Sequence, residues 1–253
     1  MNIETVRSQL KTIRLHTAAS ELHEVVAEHK KAVSLSWISD LLQREIDSRR
    51  EKSLIARIKR ANFPEIVTLE TFDWSFNPEI NESHIQEIAT LEFIANNRIC
   101  LFMGQPGTGK THLALAIGVL AANKGYRVYC NSLKRLAEEI LRARTKNNLD
   151  SLFKKILSAR LWIFDDWGVT TMSREVAEEV FDLLDRRKYS SAMILTSNRD
   201  IDEWPQVFPD PVLANATIDR IFDRADISVF KGKSYRLKGK IEVKSVDLKI
   251  KKK

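Results

Sequence analysis

The spacing of apolar residues divides the chain into a helical first part and an alternating second part. Residues 3–61 contain neither Gly nor Pro, and apolar residues recur at helical spacing, as in Ile38, Leu41 and Leu42. We therefore predict helix throughout residues 3–61. The pattern ends at Phe63-Pro64, because proline cannot continue a helix beyond its first turn.

The segment that follows reads as an extended connection with an unusual aromatic content. Three aromatic residues, Phe72, Trp74 and Phe76, stand between two prolines. Exposing three neighbouring aromatic side chains to water would be unfavourable in free energy, so we expect this segment to pack on the domain after it. A helix is predicted next, over residues 83–96.

From residue 99 onward, short apolar runs of strand length alternate with helical patterns. The predicted strands are residues 99–103, 127–130, 161–164 and 193–196, and the predicted helices lie near residues 110–123, 132–145, 148–158 and 173–188. A further helix is predicted over 211–226, followed by a basic, strand-like end over 227–237. This alternation is typical of βαβ units, so we predict an α/β fold whose parallel sheet carries helices on both faces.

Composition narrows the class of protein without identifying it. The apolar fraction is 43% and the charged fraction 30%, as in ordinary globular proteins. No apolar run is long enough to span a membrane, and no hydrophobic secretory segment opens the chain. The two cysteines, Cys100 and Cys130, lie in apolar runs without metal-ligand spacing, so we expect a reducing, cytoplasmic location.

The net charge of +7 is concentrated at the two ends of the chain. Residues 1–60 hold twelve Lys/Arg against eight Asp/Glu, and residues 231–253 hold ten against two. Basic ends indicate a polyanionic partner, although lysine-rich tails are also common as merely solvated segments. The candidate DNA-binding residues lie on one basic helical stretch: Arg49, Arg50, Lys52, Arg57, Lys59 and Arg60.

The strongest motif is a phosphate-binding loop between a predicted strand and a predicted helix. It is Gly104-Gln105-Pro106-Gly107-Thr108-Gly109-Lys110-Thr111, which fits G-x-x-x-x-G-K-[ST] at every position. In such a loop, backbone N–H groups at a helix N-terminus cradle phosphates. Lys110 is expected to reach the β- and γ-phosphates of ATP, and the Thr111 hydroxyl to bind Mg²⁺.

Two acidic residues follow a later apolar strand, where a nucleotide hydrolase needs a carboxylate. Asp165 and Asp166 come directly after Leu161-Trp162-Ile163-Phe164. Asp165 is the candidate for holding Mg²⁺ through water, and Asp166 the candidate general base for the attacking water. The alternative is an Asp-rich turn, which the sequence DDWG would also suit.

Polar residues after the next strand and in the later helix complete the candidate set. Asn198 can orient a water molecule through its amide, but it could equally serve as a cap or turn residue. Arg220 and Arg224 lie one helical turn apart in the predicted helix, and either could act on the ATP of a neighbouring subunit or pair with a nearby Asp. The five histidines form no metal-binding cluster; His112, directly after Thr111, is counted with the nucleotide-binding residues.

Taken in order, several segments resemble those of IstB-like ATPases. They are GQPGTGKTHLALA, LWIFDDWG, ILTSNRDIDEWPQVFPDPVLANATIDRIFDRA and GKSYRLK, together with the N-terminal RREKSLIARIKRANFPEIVTLETFDWSFNPEI. These ATPases are AAA+ helper proteins for the transposition of insertion sequences, and they are related to DnaC-type helicase loaders. The resemblance extends from about residue 8 to residue 240.

The resemblance implies a fold and a division of the chain. It implies an AAA+ P-loop NTPase with a five-stranded parallel sheet flanked by helices, preceded by a small all-helical N-terminal domain. The expected parts are a helical DNA- or partner-binding domain at 1–62, a linker at 63–82, the AAA+ ATPase domain at 83–240 and a basic tail at 241–253.

The resemblance also implies roles for individual residues. Residues 104–111 correspond to the Walker A loop, Asp165 and Asp166 to the Walker B pair, and Asn198 to sensor one. Arg220 corresponds to the finger that acts in trans, and Arg236 to a sensor-two-like position that binds nucleotide. Many AAA+ proteins have Glu where this chain has Asp166, and the shorter side chain would slow hydrolysis.

The expected function is that of an ATPase that assembles on double-stranded DNA as a homo-oligomer and assists a cognate transposase in target selection, with ATP and Mg²⁺ as cofactors. A helicase loader acting on single-stranded DNA is the alternative, although the basic helix carries no aromatic residues for base stacking. A small-molecule kinase using the same loop is a third possibility, but it leaves Asn198, Arg220 and the basic ends without a purpose.

Overall fold

A computed structural model of the chain describes residues 2–28 and 36–238. Contacts divide the chain into two compact units, residues 1–57 and residues 58–253. The division falls inside a helix and before the predicted boundary at residue 62, because Ile58 and Ala61 pack with the core of the second unit. The predicted basic tail, 241–253, lies outside the described residues.

The first unit is helical, as the sequence pattern predicted. It holds α1 (Ile3–Thr12), α2 (His16–Glu28) and most of α3 (Ser36–Ala61). Val6, Leu10 and Ala19 form its small core. The prediction of unbroken helix was wrong at residues 13–15, where Arg14 has a φ of 63° and turns the chain between α1 and α2. Residues 29–35, which the prediction also covered, lie outside the described ranges.

The second unit alternates strands and helices around one sheet. Its strands are β1 (Ile99–Gly104), β2 (Val128–Ser132), β3 (Leu161–Asp165), β4 (Ala192–Ser197) and β5 (Ala225–Phe230). Its helices are α4 (Glu82–Ala89), α5 (Glu92–Ala95), α6 (Lys110–Asn123), α7 (Leu133–Thr145), α8 (Leu149–Leu157), α9 (Arg174–Arg187) and α10 (Pro211–Phe222). The helix predicted over 83–96 is therefore two helices, because Leu91 adopts a left-handed conformation, with φ of 68°, between them.

The five strands form one parallel sheet in the order β2-β3-β4-β1-β5. Successive residues of β1 face opposite cores: Leu101 packs with α7 to α10, and Phe102 packs with α4 to α6. Both faces of the central strands are covered, which explains why these strands are continuous apolar runs. The sheet order brings the carboxyl ends of β1, β3 and β4 together at one edge.

The end of the chain differs from the sequence prediction. The last helix stops at Phe222 instead of continuing to residue 226, and Arg224 has a φ of 66° in the turn that leads into β5. The predicted strand over 227–237 is also wrong in its extent, since β5 ends at Phe230 and Tyr235–Leu237 is a turn of 3-10 helix. Parallel pairing with β1 fixes β5, whereas the residues after Phe230 fold back over the phosphate loop.

The aromatic segment before α4 packs on the second unit. Phe63, Phe72 and Trp74 contact its core, and the ring centroids of Phe72 and Trp74 lie 4.7 Å apart. The expected packing of these aromatic residues is therefore found, and residues 63–82 fall within the second unit. Among the described residues, no helix is long and apolar enough to cross a membrane.

Candidate functional site

The glycine-rich loop lies between β1 and α6. β1 ends at Gly104 and α6 begins at Lys110, so the loop spans the carboxyl edge of the sheet and the N-terminus of a helix. Gly107 has a φ of 80°, and a Cβ atom there would come within 2.1 Å of Ser234 Oγ. Only glycine fits this position, because both the backbone conformation and the neighbouring segment exclude a side chain.

Lys110 is held inside this loop. Its Nζ atom donates hydrogen bonds to the carbonyl oxygens of Gly104 at 2.8 Å and Gln105 at 2.7 Å. Burial lowers the pKa of Lys110 to about 8, although the nearby carboxylates of Asp166 and Asp165 oppose the shift. The ammonium group is thus positioned and partly desolvated at the N-terminus of α6.

Asp165 closes the strand β3 beside the phosphate loop. Its Oδ1 accepts hydrogen bonds from Thr111 Oγ1 at 2.7 Å and from Thr196 Oγ1 at 2.5 Å. The two residues predicted to bind Mg²⁺, Thr111 and Asp165, are therefore in direct contact. In the described ranges no group of three or more His, Cys, Asp or Glu could hold a metal. The hydroxyl and the carboxylate fit a cation that takes its other ligands from phosphate and water.

Asp166 lies next to Asp165 but faces the cavity. Its φ is 55°, and its N–H donates to Thr196 Oγ1 at 3.1 Å, which holds the residue in this turned conformation. Desolvation, followed by the charge of Asp165, raises the pKa of the Asp166 carboxyl above its ordinary value. A raised pKa makes this carboxylate a better proton acceptor.

Asn198 follows β4 and meets Asp166 across the edge of the sheet. Its Nδ2 donates to Asp166 Oδ1 at 3.0 Å. The alternative that Asn198 serves as a cap finds no support in its side-chain contacts, because its amide donates to a carboxylate that follows another strand.

One cavity of about 450 Å³ joins these groups. Most of the predicted nucleotide-site residues line it, namely Pro106, Gly107, Thr108, Gly109, Lys110, Thr111, His112, Asp166, Asn198 and Arg236. The predicted residues Gly104, Gln105 and Asp165 reach this site through contacts with Lys110 and Thr111. A volume of this size is within the range of small-molecule sites.

The residues after β5 form one wall of the cavity. Tyr235 N–H donates to the Gly107 carbonyl oxygen at 2.8 Å, and Tyr235 and Arg236 both line the cavity. The positive charge of Arg236 lowers the pKa values of Lys110 and Asp166, although for each group this is not the largest cause. Arg236 is therefore close enough to Lys110 and Asp166 for its charge to affect the protonation of both groups.

Another part of the cavity lining contains residues that sequence reasoning did not assign to the site. Phe72, Asp73, Phe76 and Asn77 line the cavity. The available signal was the aromatic content of residues 63–82, from which packing on the next domain was predicted but a role in the site was not. Phe72 and Phe76 supply an aromatic wall beside the phosphate loop, and Asp73 and Asn77 add polar groups to it.

His112 lies where this aromatic wall meets α6. Its Nε2 is 3.3 Å from Thr71 Oγ1 and 3.4 Å from the Thr68 carbonyl oxygen, and its ring centroid is 5.5 Å from that of Phe72. The side chain thus contacts the segment before α4, while the residue also lines the cavity.

Arg220 and Arg224 do not line this cavity. Arg220 Nε donates to Asp185 Oδ1 on α9 at 2.9 Å, and its guanidinium lies 5.9 Å from the ring of Phe181. Arg224 lies over the ring of Tyr189 and is not one helical turn from Arg220, because α10 ends before it. The sequence analysis also weighed the pairing of Arg220 with a nearby aspartate, and this is found: besides Asp185, Asp219 on the same helix lies 3.7 Å from the guanidinium of Arg220.

The candidate DNA-binding residues all lie on α3. Arg49 donates to Glu45 and to the Ile13 carbonyl oxygen, Arg50 pairs with Asp47 at 3.7 Å, and Arg57 donates to Ser53. The exposed members of the set are Arg49, Arg50, Lys52, Lys59 and Arg60. These contacts leave the predicted role of the set untested.

Comparison with known proteins identifies relatives among insertion-sequence proteins. A family profile described as IstB-like ATP binding protein matches residues 7–243. The chain is 37% identical over 238 residues to the insertion sequence IS21 ATP-binding protein of Pseudomonas aeruginosa, covering 94% of this chain and 89% of the relative. It is 33% identical over 231 residues to the corresponding IS5376 protein of Geobacillus stearothermophilus, covering 90% of this chain and 92% of the relative.

Solved structures resemble this chain in fold. The crystal structure of the DnaC helicase loader matches with a TM-score of 0.50 at 22% identity, over 62% of this chain and 98% of that one. AMPPCP-bound DnaA from Aquifex aeolicus matches with a TM-score of 0.56 at 21% identity, over 75% of this chain and 58% of that one. At these identities the likeness shows the fold alone, and it confirms the predicted AAA+ P-loop architecture.

Proposed function

The chain belongs to the family of IstB-like ATP-binding proteins, and from this premise we propose that it hydrolyses ATP as the helper of a transposase on double-stranded DNA. The observation that carries the proposal is the meeting of Lys110, Asp166, Asn198 and Arg236 at one cavity. Phosphoryl transfer to water requires cations that bind phosphate, here Lys110 and Arg236. It also requires a base, here Asp166, and a group that orients the water, here Asn198.

In binding, the loop would hold the phosphates of ATP through its backbone N–H groups and the N-terminus of α6. Lys110 would exchange its hydrogen bonds with the Gly104 and Gln105 carbonyl oxygens for bonds to the β- and γ-phosphates. Thr111 and Asp165 would hold Mg²⁺, which neutralises negative charge on these phosphates. The aromatic wall would take the apolar faces of the base.

In hydrolysis, the oxygen of a water molecule would attack the γ-phosphorus and ADP would leave. Asp166 would accept a proton from this water molecule. Asn198 already donates to one oxygen of Asp166, so its amide oxygen and the second carboxylate oxygen can both accept from a water molecule. The raised pKa of Asp166 supports its role as the base. Arg236, and Arg220 of a neighbouring copy, would stabilise the charge of the transition state.

On DNA, the exposed basic residues of α3 would contact phosphates without reading sequence. The names of the relatives, which are insertion-sequence ATP-binding proteins, support a role in transposition. A transposase as the partner and target selection as the step assisted are part of the proposal. We further propose that ATP promotes homo-oligomer assembly. The helicase-loader alternative has only the fold likeness in its favour.

The test is binding of duplex and single-stranded DNA of equal length, with and without ATP, measured together with particle mass. ATP-dependent binding that prefers the duplex, together with a rise in mass, is the expected result. Preference for the single strand would instead favour the helicase loader, and no binding in any nucleotide state would remove the DNA-binding part of the proposal.

A matched pair of variants tests the basic helix. Lys52→Glu reverses an exposed charge on α3, and Lys11→Glu reverses one on α1 of the same unit. If α3 contacts phosphates, Lys52→Glu should weaken duplex binding and lower the slope of log K against log salt by about 1, whereas Lys11→Glu should not. Equal effects of the two variants would indicate a general effect of net charge.

A further inference from the structure

Asn77 makes a two-point contact with a backbone segment far away in the chain. Its Nδ2 donates to the Lys233 carbonyl oxygen at 3.1 Å, and its Oδ1 accepts from the Lys233 N–H at 3.0 Å. The side chain is only 5% exposed. An amide is the side-chain group that can satisfy both a backbone donor and a backbone acceptor in this way.

The backbone at Gly232 permits this close approach. Gly232 has a φ of 117°, and a Cβ atom there would come within 2.5 Å of Asn77 Oδ1. A side chain at this position would therefore both strain the backbone and push the amide away. The contact depends on an asparagine on one segment and a glycine on the other.

The segment fixed by Asn77 is the one that carries Arg236 to the cavity. Two residues beyond Lys233, Tyr235 N–H donates to the Gly107 carbonyl oxygen of the phosphate loop at 2.8 Å. Arg236 follows directly and lines the cavity. The backbone before Arg236 is thus held at two points, one on Asn77 and one on the phosphate loop.

Further contacts between the same two segments lie at the surface. Lys238 Nζ is 2.7 Å from Asp73 Oδ2, and the ring centroids of Phe76 and Tyr235 lie 5.0 Å apart. An exposed ion pair contributes little to fixing a segment, because water and salt screen it. The buried amide contact of Asn77 therefore constrains the two segments more than this ion pair does.

We propose that Asn77 is a positioning residue that holds Arg236 in place for nucleotide binding. The inference rests on the proposed function, in which this cavity binds ATP. Asn77 acts through the backbone of residues 232–235, so that Arg236 meets the phosphates without losing conformational freedom at the moment of binding.

The test is a double-mutant cycle on ATP affinity with the full chain. Asn77→Ala and Arg236→Ala are each expected to weaken ATP binding about tenfold. The double variant should be no weaker than Arg236→Ala alone, because Asn77 acts only through Arg236. Asn123→Ala, which removes an exposed asparagine at the end of α6, is the control and should leave ATP affinity unchanged.

Additive losses in the cycle, or unchanged affinity in Asn77→Ala, would overturn the proposal. If Asn77→Ala does not fold, the neutral Asn77→Ser replaces it in the same cycle. A hydroxyl group cannot make both bonds to the Lys233 backbone and adds no charge to the cavity, so the same non-additive loss is expected. If the unsubstituted protein does not bind ATP, the proposed function itself fails, a result distinct from an additive cycle.

Discussion

Asn198 Nδ2 donates a hydrogen bond to Asp166 Oδ1 at 3.0 Å, although 32 positions separate the two residues in the chain. The bond joins the ends of β3 and β4, which are neighbours in the sheet. It fixes the orientation of the proposed base and leaves acceptors on both side chains for one water molecule. The pair therefore provides the first test of the proposed chemistry.

Replacing Asp166 by asparagine should stop hydrolysis while ATP binding persists. The substitution keeps the shape of the side chain but removes its ability to take a proton, so the ATPase rate should fall by about 10²- to 10⁴-fold. The measurement is phosphate release, with ATP binding measured in parallel. Asp202→Asn, at an exposed carboxylate away from the cavity, is the control. Hydrolysis at the unsubstituted rate would assign the base elsewhere.

Removal of the Lys110 side chain should abolish nucleotide binding. Its ammonium group is held by two loop carbonyl oxygens at the N-terminus of α6, where phosphates would bind. Lys110→Ala should weaken the binding of a fluorescent ATP analogue by about a hundredfold or more, because a charge-assisted contact is lost. Lys124→Ala, at the far end of the same helix, should bind normally. A similar loss in both variants would point to general unfolding.

The affinity for ATP should fall as the pH rises above about 8. Burial lowers the pKa of Lys110 to about 8, so the free protein loses this positive charge above that pH. Bound phosphates favour the charged form and raise the pKa, which means that binding takes up a proton above pH 8. Titrations between pH 7 and about 9.5 would measure the effect.

Lys110→Arg separates this effect from other alkaline changes. A guanidinium group stays charged throughout the range, so the variant should show no alkaline loss, whatever its absolute affinity. A flat profile for the unsubstituted protein, or the same decline in both proteins, would contradict the role given to Lys110.

Arg220 should act on a neighbouring subunit. Arg220→Ala should lose ATPase activity but regain part of it when mixed with Lys110→Ala, because the mixture restores complete sites between unlike subunits. Phosphate release in each protein and in the mixture is the measurement. Asp185→Asn removes the charge of the nearer partner of Arg220 and keeps the arginine and its pairing with Asp219, so it should stay active. Loss in both variants without recovery would mean that the Arg220–Asp185 pair is structural.

Local patterns determined much of the second unit. β1, the phosphate loop and α6 follow from neighbouring residues, and the helix predicted over 110–123 has the observed bounds. The predicted helix limits differ from the observed ones where a single residue takes a left-handed conformation, as at Arg14, Leu91 and Arg224. In these cases apolar periodicity continued past the turn, because the pattern records burial and not backbone angles.

The candidate site was predictable in its residues but not in its arrangement. By itself, the sequence indicated Lys110, Asp165, Asp166 and Asn198, because each lies at the end of a recognisable strand or in a recognisable loop. The order of the strands was decided in the tertiary structure, where pairing of β3 and β1 with β4 brings Thr111 to within 2.7 Å of Asp165.

The contact of Asn77 with Lys233 could not be predicted from the sequence. It joins residues 156 positions apart, and although both lie in segments that carry the family resemblance, nothing in the spacing of those segments pairs the two residues. Periodicity and motif spacing report only on neighbours in the chain, whereas the strand order and the wall of the cavity depend on which distant surfaces bury each other. The sequence alone therefore determined which groups can do the chemistry, and only the fold decided how they are held together.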